Sequence, residues 1–255
     1  MKITVCELPD DREEFELGWE RLVRHARRES TDMVLLPETP FSHWIFAYPK
    51  FDAGVWEKAV EEHRKGMERL HELGASVVLG SRLVGSGERR FNEGFGWSKR
   101  GVVSSHRKRY LPNEAGYYEA RWYGRGGSKF EPFDAGGWKA GFMICSDLWS
   151  MANARSYGKK GVGLIAVPRC TGLSTDKWLA GGRVASVVSG AYCASSNRTG
   201  ERGEAKFGGL GWVVDPDGKV LVTTGKDGPF ATVEIEEATA ERAKRTYPRD
   251  SLGTD

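Results

Sequence analysis

Like-charge blocks are missing from this chain, and its 38 lysine and arginine residues nearly balance 35 aspartates and glutamates. The formal charge of +3 therefore gives no electrostatic footprint for a nucleic acid partner. Apolar runs are short: none approaches the roughly 20 residues that a bilayer-spanning helix requires, so no membrane partner is expected. A secretory leader is missing as well, because Met1-Lys2-Ile3-Thr4-Val5 enters a strand at once, with no cleavage site of small residues behind it. The sequon Asn197-Arg198-Thr199 accordingly reads as accidental. Cysteine is sparse, and Cys6, Cys145, Cys170 and Cys193 lack metal-ligand spacing. Reduced thiols in a cytoplasm are the simplest account of them. His-Glu-x-x-His, paired Cys-x-x-Cys, a P-loop and a complete Gly-x-Gly-x-x-Gly do not occur, so neither a metal nor an organic cofactor is expected. Linkers, repeats and low-complexity segments are also missing. A single domain over residues 1–255 follows, large enough to bury roughly three quarters of its unfolded surface without disulfides or metals.

What the chain has instead is clear punctuation and clear period. Residues 2–8 read as a strand, and 10–28 as a helix with Phe15, Trp19, Leu22, Val23 and Ala26 on one face. A short apolar strand, Met33-Val34-Leu35-Leu36, ends at Pro37-Glu38. Residues 56–73 repeat the helical period, Gly74 stops it, and 76–80 form another apolar strand. Such β-α-β-α-β alternation argues for an α/β layered fold. Strands joined by tight turns follow at 91–98, 102–106 and 138–144. Beyond them come a helix at 149–157, a strand at 163–167, a helix at 175–189, and strands at 192–196, 210–214, 219–223 and 231–235. Residues 111–129 show no strong period, and an ordered loop of that length inside a compact domain is usually functional.

Several residues carry chemistry. Cys145 ends the apolar strand Gly141-Phe142-Met143-Ile144 and runs directly into a helix-like segment. Placed on such an elbow at a helix N-terminus, its thiol pKa is expected to lie below the ordinary value of about 8.5. The alternative is a small buried hydrophobe, as most unpaired cysteines are. Glu38 stands at the carboxyl end of a strand, where open α/β folds put their ligands and where partial desolvation suits a general base. Lys108 and Glu119 by themselves pass for solvated charges. Tyr117, Tyr118, Trp122 and Tyr123 either wall a pocket or pack, and Arg121, Arg125 and Lys129 either meet a substrate carboxylate or face water. A Cys-His hydrolase needs a histidine base, and only His43 and His106 lie near the strand ends.

Taken together, Pro37-Glu38, then Arg107-Lys108-Arg109-Tyr110-Leu111-Pro112 with Gly116-Tyr117-Tyr118-Glu119, then Ile144-Cys145-Ser146-Asp147, closely resemble the nitrilase superfamily of carbon–nitrogen hydrolases. The likeness continues through Trp149, Arg155, Asn197-Arg198-Thr199-Gly200 and Phe207-Gly208-Gly209 to the turn at Asp215-Pro216-Asp217-Gly218. It implies a four-layer α-β-β-α sandwich, with two mixed sheets face to face, helices outside, and subunits often paired into a homodimer or higher oligomer. It also implies a catalytic triad of Glu38, Lys108 and Cys145, with Glu119 as the family's second glutamate. Candidate substrate-binding residues are Tyr118, Trp122, Ser146, Asp147, Trp149 and Arg169. The Cys-x-Asp at Cys145 and Asp147 is usual in the amidase-like and carbamoyl-hydrolysing branches, whereas nitrilases more often show Cys-Trp-Glu. The expected activity is therefore hydrolysis of a small non-peptide amide through a cysteine thioester. A nitrilase, or a non-catalytic binding module on the same fold, is the alternative. Two segments depart from the family: Met151-Ala152-Asn153 lacks a Pro-Glu pair, and residues 185–189 lack Arg-Ala-x-Glu-Asn.

Overall fold

A computed structural model describes residues 1–86, 89–226 and 228–251. Its first half runs β1 (Lys2–Pro9), α1 (Arg12–Glu29), β2 (Met33–Leu35), α2 (Ala53–Glu68), β3 (Val77–Ser86), β4 (Arg89–Ser98) and β5 (Gly101–Arg107). The second half adds β6 (Phe133–Ala135), β7 (Trp138–Phe142), α3 (Met151–Lys159), β8 (Leu164–Pro168), α4 (Thr175–Ser189) and β9 (Tyr192–Arg202). It closes with β10 (Ala205–Gly208), β11 (Trp212–Val214), β12 (Val220–Thr223), β13 (Phe230–Glu234) and α5 (Glu237–Ala243).

The apolar runs form strands buried on both faces. Along β1, β2 and β3 the parallel register aligns Ile3 with Met33 and Val77, and Val5 with Leu35 and Leu79. That row faces the second sheet, while Cys6, Leu8, Val34, Leu36 and Val78 face α1 with its Phe15, Trp19, Leu22 and Ala26. Period-two alternation puts each set on its own side, and burial on both faces is why the runs read as continuous rather than alternating. Helix α1 begins where Asp11 caps the backbone N–H groups of Glu13 and Glu14, at 3.0 and 3.1 Å.

One sheet has the order β5-β4-β3-β2-β1-β13, the other β6-β7-β8-β9-β11-β12. Both mix parallel and antiparallel pairs. They meet at one seam, where Glu7, Leu8 and Pro9 pair with Asn197, Arg198 and Thr199. Across the sandwich, stacked Phe133 and Phe142 press on β4. A Cβ at Gly94 would lie 2.8 Å from the Phe142 ring, and one at Gly96 would lie 2.9 Å from Phe133, so only glycine permits this approach. Helix α3 covers the far side through Tyr157, whose hydroxyl donates to the Phe142 carbonyl at 2.9 Å. Helix α4 lies beside it, and the layers are α-β-β-α, as the family resemblance implied.

Differences from the sequence reading have physical causes. The β3–β4 hairpin runs past Gly80 to Ser86 and Arg89, because Ser81 and Arg82 interrupt the apolar run before Leu83 and Val84 resume it opposite Asn92 and Phe91. Strand β9 continues to Arg202, and β10 pairs with it, through buried polar residues such as Asn197 and Arg198. The helix read from residue 149 starts at Met151, because residues Cys145–Trp149 form a 3₁₀ turn first.

Candidate active site

Three charged side chains from distant positions meet with no exposure to solvent: Glu38, Lys108 and Glu119. Glu38 lies just past β2. Its N–H donates to the Arg169 carbonyl at 3.1 Å, and its own carbonyl accepts from Arg198 Nε at 3.0 Å. Lys108 follows β5, and its N–H donates to the Asn92 carbonyl on β4 at 2.9 Å. Glu119 opens a short 3₁₀ turn in the long loop. The Lys108 ammonium bridges the two acids, 2.7 Å from Glu38 Oε1 and 2.6 Å from Glu119 Oε2. Asn92 Nδ2 donates to Glu38 Oε1 at 2.8 Å, and the Tyr123 hydroxyl donates to Glu119 Oε2. Among the described residues, Glu38 Oε2 and Glu119 Oε1 have no partner, and two of the three ammonium donors are taken. An acceptor on each acid and one cationic donor are thus available to a reacting molecule.

Burial shapes the charges here. It raises the Glu119 carboxyl from 4.5 to about 7, with Lys108 opposing the rise and Glu38 adding to it. Burial disfavours the Lys108 ammonium, yet the Cys145 sulfur, Glu119 and Glu38 outweigh it and hold the ammonium well above its ordinary value. The Glu119 shift has a sign that can be tested. Between pH 4.5 and about 7 the folded state keeps a proton that the unfolded state has lost, so stability falls as pH rises through that window and levels above it. Glu119→Gln keeps the neutral form at every pH. Its melting temperature relative to the parent should therefore climb from pH 5 to pH 8, by a free energy of up to about 3 kcal/mol. A pH-independent difference would show that Glu119 ionises normally.

Cys145 begins the 3₁₀ turn after β7 and adopts φ +49°, a left-handed conformation uncommon outside glycine. It is 3% exposed, and its thiol points at the Cys170 carbonyl at 3.8 Å. The expectation of a lowered thiol pKa is overturned. Burial pushes the Cys145 thiol well above its ordinary range, the Glu38 charge adds to this, and Lys108 opposes it. The segment that follows is a five-residue 3₁₀ turn, not a helix N-terminus that could offset desolvation. A thiol disfavoured from ionising in this way would need a neighbouring base in order to attack.

The other sequence candidates are placed as follows. Asp147 is fully buried, and its oxygens accept from Arg109 N at 3.1 Å and Tyr110 N at 2.9 Å and meet His106 Nε2 at 2.8 Å. It fastens the chain after Lys108 to the chain after Cys145 and offers a substrate nothing. Arg169 is also fully buried, and its guanidinium donates to Ser195, Thr171 and the Leu210 carbonyl. Trp122 is buried, with Nε1 donating to the Tyr48 carbonyl at 2.8 Å. Tyr118 is half-buried beneath the Arg121 guanidinium. Ser146 donates to the Tyr110 carbonyl, and Trp149 is 47% exposed beside Trp178. Both Ser146 and Trp149 line a cleft of about 550 Å³. Neither His106 nor His43 bonds the Cys145 sulfur; His43 Nδ1 meets the Asp10 carbonyl and Arg202.

Sequence reasoning missed Asn92 and Arg198 as members of the site and gave Tyr123 only a wall. Arg198 grips the Glu38 loop, donating to the carbonyls of Glu38, Thr39 and Ser42 while Asp10 neutralises it. Only the Asn-Arg pair within the family-like segment at 197–200 hinted at it.

The carbon-nitrogen hydrolase family model matches residues 2–245. A nitrilase from Pyrococcus abyssi (strain GE5 / Orsay) is 26% identical over 204 residues, covering 79% of this chain and 75% of the relative. A 2-oxoglutaramate amidase from Bacillus subtilis (strain 168) is 24% identical over 223 residues, covering 85% and 83% respectively. The crystal structure of a carbon-nitrogen hydrolase from Helicobacter pylori G27 superposes with a TM-score of 0.86 at 20% identity, over 98% of this chain and 94% of that one. With a match that begins at the first strand and ends beyond the last, this chain belongs to the carbon-nitrogen hydrolase family and is an enzyme of it.

Proposed function

We propose that the chain hydrolyses a small non-peptide amide, an aliphatic amide, ω-amide or N-carbamoyl compound, through a thioester on Cys145. The observation that carries this reading is the pairing of a neutral, buried thiol with two buried carboxylates that share one ammonium and keep one oxygen each unpartnered. Glu38 takes the thiol proton as the sulfur attacks the amide carbon. The tetrahedral oxyanion is met by Lys108 and the N–H after Cys145, donors of a kind whose removal typically costs about 3 kcal/mol. Glu38 returns the proton to the nitrogen, the C–N bond breaks, and ammonia or an amine leaves. Water, deprotonated by Glu38, then attacks the thioester; the C–S bond breaks, the acid departs and the thiol is restored. Glu119, held by Lys108 and Tyr123, orients the ammonium and the amide nitrogen.

Rapid quench with intact-mass measurement, using an amide and its matching nitrile, tests this. An acyl adduct on Cys145 with the amide at useful turnover supports it, and faster acid production from the nitrile overturns it. The nitrile reading has one specific support, the nitrilase among the relatives. Glu38→Gln separates the base from the thiol's own acidity. Its activity should stay lost in alkaline buffer, because a thiolate formed at high pH leaves deacylation without a base. Near-native rates at high pH would remove Glu38 from that role.

The same reading takes residues 1–255 as one hydrolase domain whose subunits pair. The exposed Trp149 and Val184 beside α3 and α4 support pairing, and sedimentation would check it. Four free, buried cysteines support a reducing, cytoplasmic setting. No described helix is long and apolar enough to cross a membrane.

A further inference from the structure

The two buried acids are joined by more than the Lys108 ammonium. Asn92 Nδ2 has two hydrogens: one goes to Glu38 Oε1 at 2.8 Å, the other to the Tyr123 hydroxyl oxygen at a long 3.4 Å. The Tyr123 hydroxyl in turn donates to Glu119 Oε2, the oxygen that Lys108 also holds. A closed ring results, running Lys108, Glu38, Asn92, Tyr123, Glu119 and back to Lys108, with every member buried. One oxygen of each acid accepts twice within the ring, and the other accepts nothing among the described residues.

Asn92 lies on β4 opposite Leu83, and its main-chain carbonyl accepts from the Lys108 N–H at 2.9 Å. One residue thus carries the Lys108 backbone on its carbonyl and the Glu38 carboxylate on its side chain, which sets the separation of the two. The Asn92 amide oxygen is fully buried and is left without a partner among the described residues. An orphaned buried acceptor lowers stability, so this orientation of the amide is maintained by the bonds of Nδ2. Tyr123 is fixed as firmly. Its N–H donates to the Glu119 carbonyl at 3.2 Å, and its ring meets that of Phe46 edge-on, with centroids 5.1 Å apart.

We propose, building on the amide hydrolase reading, that Asn92 and Tyr123 are positioning residues that decide which oxygen of each acid faces the substrate. A carboxylate held by Lys108 alone can turn about its last torsion, which is broad and nearly two-fold, and so present either oxygen. A second donor reaching the same oxygen from another direction stops that turning. Asn92 thereby reserves Glu38 Oε1 for the ring and keeps Oε2 as the atom that takes the thiol proton. Tyr123 reserves Glu119 Oε2 and keeps Oε1 for the amide nitrogen. Lys108 gives the ring two of its hydrogens and retains the third for the oxyanion.

The test uses Asn92→Leu, which removes both donors and leaves the main-chain carbonyl for Lys108, and Tyr123→Phe, which removes one hydroxyl and leaves the ring. On a short aliphatic amide each should lower kcat by about 10- to 100-fold, the scale of a misplaced reacting group, with KM held within about threefold. Acylation is followed directly as the burst of p-nitrophenol from a p-nitrophenyl ester, in these variants, in Glu38→Gln and in Asn92→Leu/Glu38→Gln. Residues that act through one another are not additive, so Asn92→Leu should slow the burst about tenfold or more in the parent and less than about twofold in the Glu38→Gln background. Equal slowing in both backgrounds, or an effect on KM alone, would overturn the assignment, because a residue that only supports the core lowers both rates alike. Tyr123→Phe with and without Glu119→Gln gives the same comparison for the second acid, and it stands even where Asn92→Leu does not fold. A Glu38→Gln variant whose burst matches the parent would sink the base of the hydrolase reading and the role of Asn92 with it. A burst lost in Glu38→Gln but unmoved by Asn92→Leu would sink the positioning role alone.

Discussion

Cys145→Ala should lose turnover by at least about a thousandfold while keeping its melting temperature within a few degrees of the parent. Removing a nucleophile outright costs far more than removing a helper, and what survives reflects binding and oxyanion contacts alone. The fold should tolerate the change because alanine is small and because φ +49° is no harder for alanine than for cysteine. The sulfur's one hydrogen-bond contact, to the Cys170 carbonyl, is long at 3.8 Å. Intact-mass measurement with an amide should show no adduct, and ammonia release should fall to background. Substantial hydrolysis by the alanine variant would remove Cys145 from the chemistry.

Lys108→Met should cost both stability and activity, for one reason. With the ammonium gone, Glu38 and Glu119 face each other fully buried with no cation between them. Breaking a buried ion pair by removing one partner typically costs about 3–5 kcal/mol, since the orphaned charge stays desolvated. The variant responds by keeping carboxyl protons, so its folded state binds more protons than its unfolded state near neutrality. Its deficit against the parent should therefore shrink as pH falls from 8 to 5. Urea titrations across that range read this directly, and turnover should drop by about a hundredfold or more through the lost oxyanion donor. A variant as stable as the parent at pH 8 would show that the three charges are not packed as described.

The legible parts of the molecule are those whose signal is local. Met33-Val34-Leu35 and Gly141-Phe142 announce buried strands by composition, and the spacing of Phe15, Trp19, Leu22 and Ala26 announces one face of a helix. Glu38, Lys108, Glu119 and Cys145 became legible only as an ordered set, because each alone looks like an ordinary side chain. Asn92, Tyr123 and Arg198 stayed hidden because their partners are distant along the chain: Asn92 is 54 residues from Glu38, and Arg198 is 160. Nothing in a local window marks a polar residue as buried. The thiol failed for the same reason: an elbow can be read from neighbours in sequence, but desolvation is set by what packs around it. Asp147 shows the converse: read as substrate-binding, it turns its bonds inward to His106 and the backbone of Arg109 and Tyr110.

That inward turn of Asp147 bears on how the two sheets act together. Glu38 and Lys108 hang from the ends of β2 and β5 in one sheet, and Cys145 from the end of β7 in the other. Among the described residues the sheets share a main-chain ladder along Glu7 to Pro9, and Asp147 ties the end of β5 to the Cys145 turn from the opposite side. The reactive assembly therefore belongs to neither sheet. It exists only while the two sheets are held in alignment by their packed faces, by the seam and the main-chain bonds of Glu38 to Arg169 and Arg198 on one flank, and by Asp147 on the other. Misplacement of a reacting group by about 1 Å can cost about a hundredfold in rate. Each sheet can keep every strand it has and the enzyme still be silent, so turnover gauges inter-sheet alignment more sharply than any measure of secondary structure.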